Sequence, residues 1–317
     1  MGLEEESECA EVYLASLLTA LRADAADSRV FLVDPPLPCR ERQQRLIELL
    51  FERLNVGGLY LSSSAVLASF YFSRESALIV DVGGENTFVT PVHDGFSLRR
   101  GLVHQAFGGE DITRQFDAFL AASRPDVFDF EFIRRRGSLH TPAHDLARLE
   151  LVREVKEALF KVPPAHERVE FNPVVDNAIY ELPDRKTLVV GRESYDLSEL
   201  LFGGGAAAAF GGVPGLVAQS VNEMEMEQKR DVLGTVIFAG GASQHKVFLD
   251  RMVQQGLPRD LALNYRSKVL PGGKSDARVF SWVGASVVAA LSTFDSMVLT
   301  RKDYEEHGYS LIERKFN

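Results

Sequence analysis

Cysteine is scarce in this sequence, since 317 residues include only Cys9 and Cys39. Two cysteines cannot build a disulfide framework or a zinc-binding pattern, so we expect a protein of a reducing compartment. Basic residues are also fewer than acidic ones: the sequence has 35 Lys and Arg and 45 Asp and Glu, which gives a net charge of −10. A balance this acidic argues against sequence-independent nucleic-acid binding by the chain itself.

Long hydrophobic runs are absent as well. No stretch of about 18 apolar residues occurs, which is the length that a membrane-spanning helix needs. The start, GLEEESE at residues 2–8, is acidic where a secretory signal is basic. We therefore expect a soluble, intracellular protein with no membrane partner. Its 45% hydrophobic and 25% charged residues are ordinary for a globular protein, and the length allows two domains.

The chain is organised around one stretch, ALIVDVGGENTFVTPVHDGFSLRRG at Ala77–Gly101. An almost wholly apolar run that delivers Asp81 near its end predicts a buried strand. Gly83 and Gly84 follow, and glycines permit a tight turn that a Cβ atom would block. We predict a three-stranded meander with strands at Ala77–Val82, Thr87–Val92 and, after an Asp-Gly pair, Phe96–Val103.

A turn of this kind suits an anion, because unobstructed backbone N–H groups can converge on a phosphate. Asp81 beside it would hold the water shell of a magnesium ion. A second turn has matching chemistry: the apolar run Thr235–Ala239 ends in Gly240 and Gly241, and a helical pattern begins near Gln244. Two such turns predict one nucleotide held between two lobes. The alternative is an ordinary buried hairpin whose glycines only make the turn.

Apolar periodicity outside these turns predicts alternating strands and helices, and hence a mixed α/β sheet. The glycine-rich segment Phe202–Gly215 predicts a flexible loop. The arginine run 134–136 predicts a solvated loop, or else a nuclear-targeting signal or a phosphate-binding role. Ser62 to Ser64 would cap the helix that follows them. The predicted strands are Val30–Val33 and Leu59–Leu61, and the predicted helices are Glu6–Leu21, Arg40–Leu54, a helix after Ser64 that reaches Tyr71, Asp111–Leu120, Leu146–Phe160, Leu216–Gln228, Phe248–Val253 and Trp282–Leu291.

The central stretch resembles the actin and actin-related proteins, and three further segments resemble them in that family's order: Val30–Val56, Tyr180–Gly191 and Trp282–Asn317. The resemblance implies an α/β, actin-like (ribonuclease H-like) two-lobed fold. Only 29 residues precede Val30, where an actin has a first phosphate loop and a small lobe, so we expect a truncated first lobe. An incomplete gene model would explain the same shortening. The implied domains are a truncated first lobe (1–76), a second lobe with the meander and an inserted helical part (77–281), and C-terminal helices returning to the first lobe (282–317).

The resemblance also implies a nucleotide site. It places Lys156 and Glu157 at the ribose and base, Arg278 over the adenine, and Asp81 at a metal ion through water. A surface ion-pair strip is the alternative interpretation of Arg153, Lys156 and Glu157. The implied nucleotide-binding residues are Gly83, Gly84, Glu85, Asn86, Gly109, Arg153, Lys156, Glu157, Gly240, Gly241, Ala242 and Arg278.

Three positions depart from the family's hydrolytic groups. Ser64 stands where the family has the glutamine that orients the attacking water, Gly84 replaces a second aspartate, and Phe88 replaces a histidine. Asp81 is the only catalytic candidate that is retained. Since phosphoryl transfer depends on positioning and charge stabilisation, we expect no effective ATPase and at most weak binding of ATP or ADP with Mg²⁺.

Three classes of function follow from the resemblance. The segments PVHDGF and TRKDYEEHGY resemble nuclear actin-related proteins, which favours a structural or regulatory subunit of a chromatin-remodelling or histone-acetyltransferase complex in the nucleus. The second class is a cytoplasmic, cytoskeletal actin-related protein at a filament end or in a dynactin-like complex, and the third is an active ATPase or sugar kinase. The implied partners are other protein subunits, among them actin or another actin-related protein, without direct nucleic-acid contact.

Overall fold

The computed structural model describes residues 3–128, 142–162, 177–244, 246–258, 265–270 and 276–316. The chain forms two compact units. The first unit consists of Met1–Glu75, Asp94–Ser97 and Val279–Asn317, and the second consists of Ser76–His93 and Leu98–Arg278. The chain therefore passes from one unit to the other at 75/76, 93/94, 97/98 and 278/279.

The described helices are α1 (Leu3–Leu21), α2 (Arg40–Glu48), α3 (Ser64–Tyr71), α4 (Gly109–Ser123), α5 (Pro142–Leu159), α6 (Glu193–Ser198), α7 (Gly212–Glu223), α8 (Met226–Val232), α9 (Lys246–Arg251), α10 (Phe280–Ala289), α11 (Phe294–Met297), α12 (Arg301–His307) and α13 (Tyr309–Phe316). The described strands are β1 (Arg29–Asp34), β2 (Gly58–Ser63), β3 (Ala77–Val82), β4 (Thr87–His93), β5 (Phe96–Ser97), β6 (Val103–Gln105), β7 (Ala178–Glu181), β8 (Thr187–Val190), β9 (Thr235–Ala239), β10 (Lys268–Leu270) and β11 (Leu299–Thr300).

The first unit contains a three-stranded sheet in the order β1-β2-β11, in which β2 pairs parallel with β1 and antiparallel with β11. Helices α3 and α10 pack closely together, because a Cβ atom on Gly284 would lie 1.9 Å from the carbonyl oxygen of Leu67. Only glycine permits that approach. The larger apolar cluster of this unit is formed by Ile47, Leu50, Phe51, Val56, Leu59, Leu61 and Leu299.

Two local predictions in the first unit need correction. Ser63 occupies the N-cap position of α3, but its side chain makes no capping hydrogen bond, and its Oγ atom is buried without a partner in the described part of the chain. The helix predicted at Arg40–Leu54 is α-helical only to Glu48 and then widens into a π-helical turn at Leu49–Arg53. Burial of Leu49, Leu50 and Phe51 in the core accompanies that widening.

The second unit is built on a sheet in which β10, β9, β3 and β4 are neighbours and β6 also pairs with β4. Strand β3 runs parallel to β9 and antiparallel to β4. The register places Asp81 opposite Ala239 on one side and opposite Phe88 on the other. The apolar residues of β3 and β9 are buried, as predicted from their unbroken hydrophobic runs, and the centre of this core includes Leu78, Val80, Val82, Val236 and Phe238.

The predicted meander is confirmed for its first two strands and wrong for its third. Asp94 and Gly95 have φ values of 49° and 81°, as a tight hairpin turn requires. The expected strand Phe96–Val103 is instead two short strands, β5 and β6. Gly101 between them has φ of 87°, and Leu102 N donates to Arg99 O at 3.3 Å. This turn interrupts the extended backbone.

The glycine-rich segment Phe202–Gly215 is not the flexible loop that its composition predicted. It contains a 3₁₀ turn at Gly205–Ala209 and the first residues of α7. Ala207 and Val213 are wholly buried in the core of the second unit. Gly212 has φ of 64°, and a Cβ atom on it would lie 2.3 Å from Gly203 N. These glycines serve close backbone packing rather than chain flexibility.

The helix predicted at Leu216–Gln228 is two helices, since Met224 takes an extended conformation (ψ of 150°) between α7 and α8. The arginine run 134–136 lies outside the described residues. In the described part of the chain, no single helix combines the length and apolar character needed to cross a membrane. One strongly bent pair, Glu193–Ala209 with Gly212–Glu223, meets those criteria by length and composition alone.

Candidate functional site

The first glycine turn, which we define as Gly83–Asn86, joins β3 to β4. It is closed by a hydrogen bond in which Gly83 N donates to Asn86 O at 3.0 Å. The N–H groups of Gly84, Glu85 and Asn86 donate to no acceptor in the described part of the chain. Three consecutive N–H groups without an acceptor there are chemically suited to an anion, and the anion site stays a prediction.

The carbonyl groups of the same turn accept hydrogen bonds from the first residues of α4. Gly109 N donates to Gly83 O at 2.9 Å, and Glu110 N donates to Gly84 O at 2.7 Å. Gly108 lies so close that a Cβ atom on it would be 2.3 Å from Gly84 O. The backbone N–H groups of the first two residues of α4 therefore donate to the turn, and Gly109 stabilises the turn through its backbone.

Asp81 lies just before this turn and has no hydrogen-bond partner among the described residues. Burial raises the pKa of its carboxyl group to about 6. The carboxylate lies against Gly240, where a Cβ atom would be 2.6 Å from Asp81 Oδ1 and 2.2 Å from Val82 O. Gly240 also has φ of 85°, so glycine is required there on two counts.

This contact brings the second glycine turn, which we define as Gly240–Gln244, next to the first. Gly240 N donates to Ala277 O at 3.2 Å, and a 3₁₀ turn rather than an α-helix begins at Gly241. Ala242 lies within that 3₁₀ turn and packs at the edge of the core. The two glycine pairs singled out from the sequence therefore meet around Asp81 within the second unit.

Lys156 and Arg153 hold the first turn of α4 from α5. Lys156 Nζ donates to Gly109 O and to Thr113 Oγ1, both at 2.8 Å, and burial lowers the pKa of its ammonium group. Arg153 pairs with Glu110 at 2.9 Å and with Glu150 at 2.8 Å. Each of these partners except Glu150 belongs to α4, so the two cations clamp α4 against the first glycine turn.

Arg278 lies beside the second glycine turn, with its Cγ and Cδ atoms over Gly241. Its guanidinium group forms an ion pair with Asp276 at 2.5 Å, which raises the pKa of Arg278, and the charge of Glu157 acts in the same direction. Glu157 itself is exposed on α5. The predicted base-binding residues Glu157 and Arg278 are therefore close enough to interact electrostatically.

The three positions that depart from the family pattern belong to different elements of the chain. Ser64 is the first residue of α3 in the first unit, and its carbonyl oxygen accepts a hydrogen bond from Ser281 Oγ at 2.9 Å. Gly84 is in the first glycine turn. Phe88 stacks on His104 with ring centroids 4.5 Å apart, and His104 Nε2 lies 2.7 Å from Asn86 Oδ1. An aromatic pair thus occupies the sheet surface where a water-contacting histidine was expected.

Several residues of this site escaped the sequence analysis. Most of their partners lie far away in the chain. Two local patterns were nevertheless recognisable, namely an Asp two residues before an Arg and a Glu-Asp pair at the start of a helix. Within the described residues, no group of three or more His, Cys, Asp or Glu side chains could hold a metal ion. The residues missed are Glu110, Thr113, His104, Gln244 and Asp276.

Comparison with known proteins gives a consistent result. A sequence model of the Actin family matches residues 3–317. Actin-related protein 4 of Arabidopsis thaliana is 27% identical over 328 aligned residues, which cover 94% of this chain and 74% of the relative. The Oryza sativa subsp. indica protein of the same name is 29% identical, covering 90% and 70%. That of Mycosarcoma maydis is 27% identical, covering 94% and 68%. With its α/β sheets and its paired glycine turns, the chain belongs to the actin family and is similar to actin-related proteins.

Proposed function

We propose that this protein is a structural or regulatory actin-related subunit of a multiprotein assembly, with weak nucleotide binding and little or no ATP hydrolysis. Members of this family generally act in protein complexes and generally bind ATP or ADP with Mg²⁺. The observation that carries the proposal is an asymmetry in the site. The backbone cradle for an anion is present, but the side chains that would orient a water molecule are replaced by Ser64, Gly84 and Phe88.

The described residues fit a magnesium nucleotide in part. The free N–H groups of Gly84, Glu85 and Asn86 would hold phosphate oxygens, and Asp81 would face the metal through water. The metal would neutralise phosphate charge when bound. Asp81 must be ionised to do so, and with a pKa of about 6 it is mostly ionised at neutral pH.

Hydrolysis requires more than binding. A general base or a water-positioning group has to lie within hydrogen-bond reach of the attacking water. The ring of Phe88 offers no such group, and Gly84 has no side chain. His104 has a polar ring and stacks on Phe88, but its Nε2 atom is already engaged with Asn86. We therefore expect turnover to be at background level.

The test of hydrolysis is a phosphate-release assay on the purified full chain with ATP and magnesium. The rate should not exceed that of an Asp81→Ala variant, which lacks the only retained candidate. A steady rate clearly above the variant's would contradict the proposal and favour an active ATPase.

The proposed location of the assembly is the nucleus, in a chromatin-remodelling or histone-acetyltransferase complex. The support is the resemblance of residues 91–96 and 300–309 to nuclear actin-related proteins, together with the similarity to the proteins called Actin-related protein 4. The net charge of −10 favours contact with chromatin through other subunits rather than by this chain.

Affinity purification of the tagged full chain, followed by mass spectrometry, tests this assignment. Chromatin enzymes and other actin-related subunits should co-purify. Recovery of dynein and dynactin components instead would overturn the nuclear assignment and support a cytoskeletal one.

A further inference from the structure

The first unit contains a cavity of about 380 Å³ between the π-helical turn Leu49–Arg53 and helix α12. Phe51 lies at its inner side, where the almost wholly buried ring stacks on the ring of Tyr304 with centroids 4.5 Å apart and an interplanar angle of 12°. The cavity is open at Gly308, where a Cβ atom would meet nothing within 4 Å. Its lining residues are Phe51, Glu52, Arg301, Tyr304, Glu305 and Gly308.

Helix α12 presents three of these side chains together. A capping box starts the helix: Thr300 N donates to Asp303 Oδ2 at 3.0 Å, and Thr300 Oγ1 accepts from Asp303 N at 3.2 Å. Arg301, Tyr304 and Glu305 follow at helical spacings of three and four, which places them on one face. The start of α12 therefore fixes which side chains line the cavity.

The opposite wall of the cavity departs from α-helical geometry. Leu54 N donates to Leu49 O at 3.0 Å, which is the i→i+5 hydrogen bond of a π-helical turn. Turns of this kind occur frequently at functional sites. This turn places the buried Phe51 next to the exposed Glu52, and the Tyr304 hydroxyl donates to Glu52 Oε1 at 3.0 Å. The two walls therefore meet through one aromatic stack and one hydrogen bond.

The charges around the cavity are unbalanced. Arg301 Nε donates to Glu305 Oε1 at 2.7 Å, so these two charges compensate each other. Glu52 has no cationic partner in the described part of the chain. Burial raises the pKa of the Tyr304 hydroxyl to about 12, and the charges of Glu52 and Glu48 act in the same direction. Tyr304 therefore stays a neutral donor at physiological pH, and the cavity carries a net negative charge.

This combination of groups selects a class of ligand. An anion would be repelled by Glu52, and a wholly apolar group would bury the Glu52 carboxylate without compensating its charge. A cation on an apolar stem satisfies both parts of the cavity, because the stem packs on aromatic surface while the charged head pairs with the carboxylate. Arginine suits the cavity better than lysine, since its flat guanidinium group stacks on rings and binds carboxylates. The volume is near the lower end of the range for ligand pockets, which fits a single side chain.

We propose that this cavity is a docking site for an arginine side chain in a basic segment of a partner subunit. The proposal rests on the assembly role proposed above and adds the chemistry by which one partner is recognised. Charge complementarity carries it, because the chain has a net charge of −10 and the Glu52 carboxylate lies beside aromatic surface without a cation among the described residues. Nucleotide binding is not required, since all the lining residues belong to the first unit.

A synthetic peptide tests the cavity directly. The full chain is labelled with meta-fluorotyrosine, and Tyr304→Phe identifies the Tyr304 signal among those of the eight tyrosines in fluorine NMR spectra. The peptide acetyl-Gly-Gly-Arg-Gly-Gly-amide should shift this signal saturably at about millimolar concentration, whereas the same peptide with norleucine in place of arginine should not. Glu52→Gln should weaken binding of the arginine peptide by about fivefold, the size of losing one partly exposed ion pair.

Glu306→Gln is a matched control. Glu306 follows Glu305 on α12 and is an exposed carboxylate that pairs with Lys302 at 3.9 Å, but it does not line the cavity. Its replacement changes the net charge of the chain by the same amount as Glu52→Gln, so a general electrostatic attraction of the peptide would be weakened equally by both variants. Glu306→Gln should leave the affinity for the arginine peptide unchanged.

The same two positions test the cavity within the assembly. The tagged Glu52→Arg chain should lose in co-purification at least one subunit that the wild type and the Glu306→Arg chain both retain, because a positive charge in the cavity repels the arginine of the partner. Both variants should melt at the temperature of the wild type, since both side chains are exposed.

The outcomes are distinct. A Tyr304 signal that does not respond saturably to the arginine peptide, or equal weakening by Glu52→Gln and Glu306→Gln, would overturn the docking site. Retention of every partner by the Glu52→Arg chain would overturn its use in an assembly. If the wild-type chain recovers no partner at all, the assembly role fails, while the peptide titration still decides whether the cavity binds arginine.

Discussion

At the scale of single residues, Asp81 is the least favourably placed side chain of the site. It lies half-buried on β3, sits against Gly240 of the second glycine turn, and makes no hydrogen bond in the described part of the chain. Burial disfavours its ionised form and raises the pKa of the carboxyl group from 3.8 to about 6. The ionised carboxylate therefore lowers the stability of the folded protein, and a bound cation would offset that loss by compensating its charge.

The first prediction concerns Asp81→Asn. Because the folded chain binds the proton of Asp81 more tightly than the unfolded chain, the stability of the wild type should rise as the pH falls through about 6 and level off below about 4. The variant lacks this cost, so its free energy of unfolding should exceed that of the wild type by up to about 3 kcal/mol near pH 8. The difference should shrink by more than half near pH 4.5. Urea unfolding in magnesium-free buffer measures both.

Asp117→Asn provides the contrast for this experiment. Asp117 pairs with Arg148 at 2.7 Å, so removing its charge should not stabilise the protein at any pH. A variant of Asp81 that is no more stable than the wild type at high pH would show that the carboxylate is solvated or paired in solution.

At the scale of secondary-structure elements, the geometry of the first glycine turn depends on how α4 and α5 pack. Lys156 fixes Gly109 and Thr113, and Arg153 fixes Glu110, while the backbone of Gly109 and Glu110 fixes the carbonyl groups of the turn. The shape of the turn therefore depends on an adjacent helix pair.

The second prediction is that Lys156→Met lowers both stability and phosphate affinity. It removes the Nζ donor from Gly109 O and Thr113 Oγ1, and Gly109 O keeps only the hydroxyl of Thr113 as its side-chain donor, so the free energy of unfolding should fall by about 1–3 kcal/mol. Affinity for MgATP and for magnesium tripolyphosphate should fall by similar factors, since the first glycine turn is what loosens. Urea unfolding and calorimetry measure these effects.

Lys186→Met serves as the control, because Lys186 forms an exposed ion pair whose loss should cost less than about 1 kcal/mol. If Lys156→Met weakens MgATP but not tripolyphosphate, Lys156 acts on the ribose or base, as the family resemblance implied, and not on the turn.

At the scale of the whole molecule, apolar surface is exposed on the first unit. Helix α10 packs with Gly284, Ala285 and Val288 inward, but Trp282 is 68% exposed and Val287 is 50% exposed. Helix α1 exposes Val12, Tyr13, Leu17 and Leu21 in the same way. In the described residues, no strand pairs with the outer edge of β1 either. Surfaces of this kind are typical of a subunit that is covered in an assembly.

The third prediction is that the chain expressed alone self-associates, as judged by size-exclusion chromatography, and that co-expression with a partner suppresses this. Trp282→Ser combined with Val287→Ser should reduce self-association without lowering the melting temperature, because both side chains are already in water. Val288→Ser, on the buried side of the same helix, should lower the melting temperature instead. A monodisperse wild-type monomer with one ordinary thermal transition would contradict the prediction.

Much of the framework was predictable because its signals are local. The apolar runs of β3 and β9, the Asp94-Gly95 hairpin and the amphipathic helices follow from the periodicity and turn chemistry of neighbouring residues. The failures were local signals overridden by distant contacts. Composition suggested a flexible loop at Phe202–Gly215, but Ala207 and Val213 of this segment are buried in the core of the second unit, and Gly203 and Gly212 pack directly against each other.

The sequence by itself therefore determined the family, the two glycine pairs and the aspartate beside them, since each is written in a short stretch of chain. Only the tertiary structure decided what the surrounding side chains do. Lys156 and Gly109 are separated by 47 positions, and Gln244 and Asp276 by 32, so no periodicity connects them. Their hydrogen bonds arise because packing of α5 on α4, and of the second glycine turn on the segment before α10, places donors and acceptors in contact after the chain has folded.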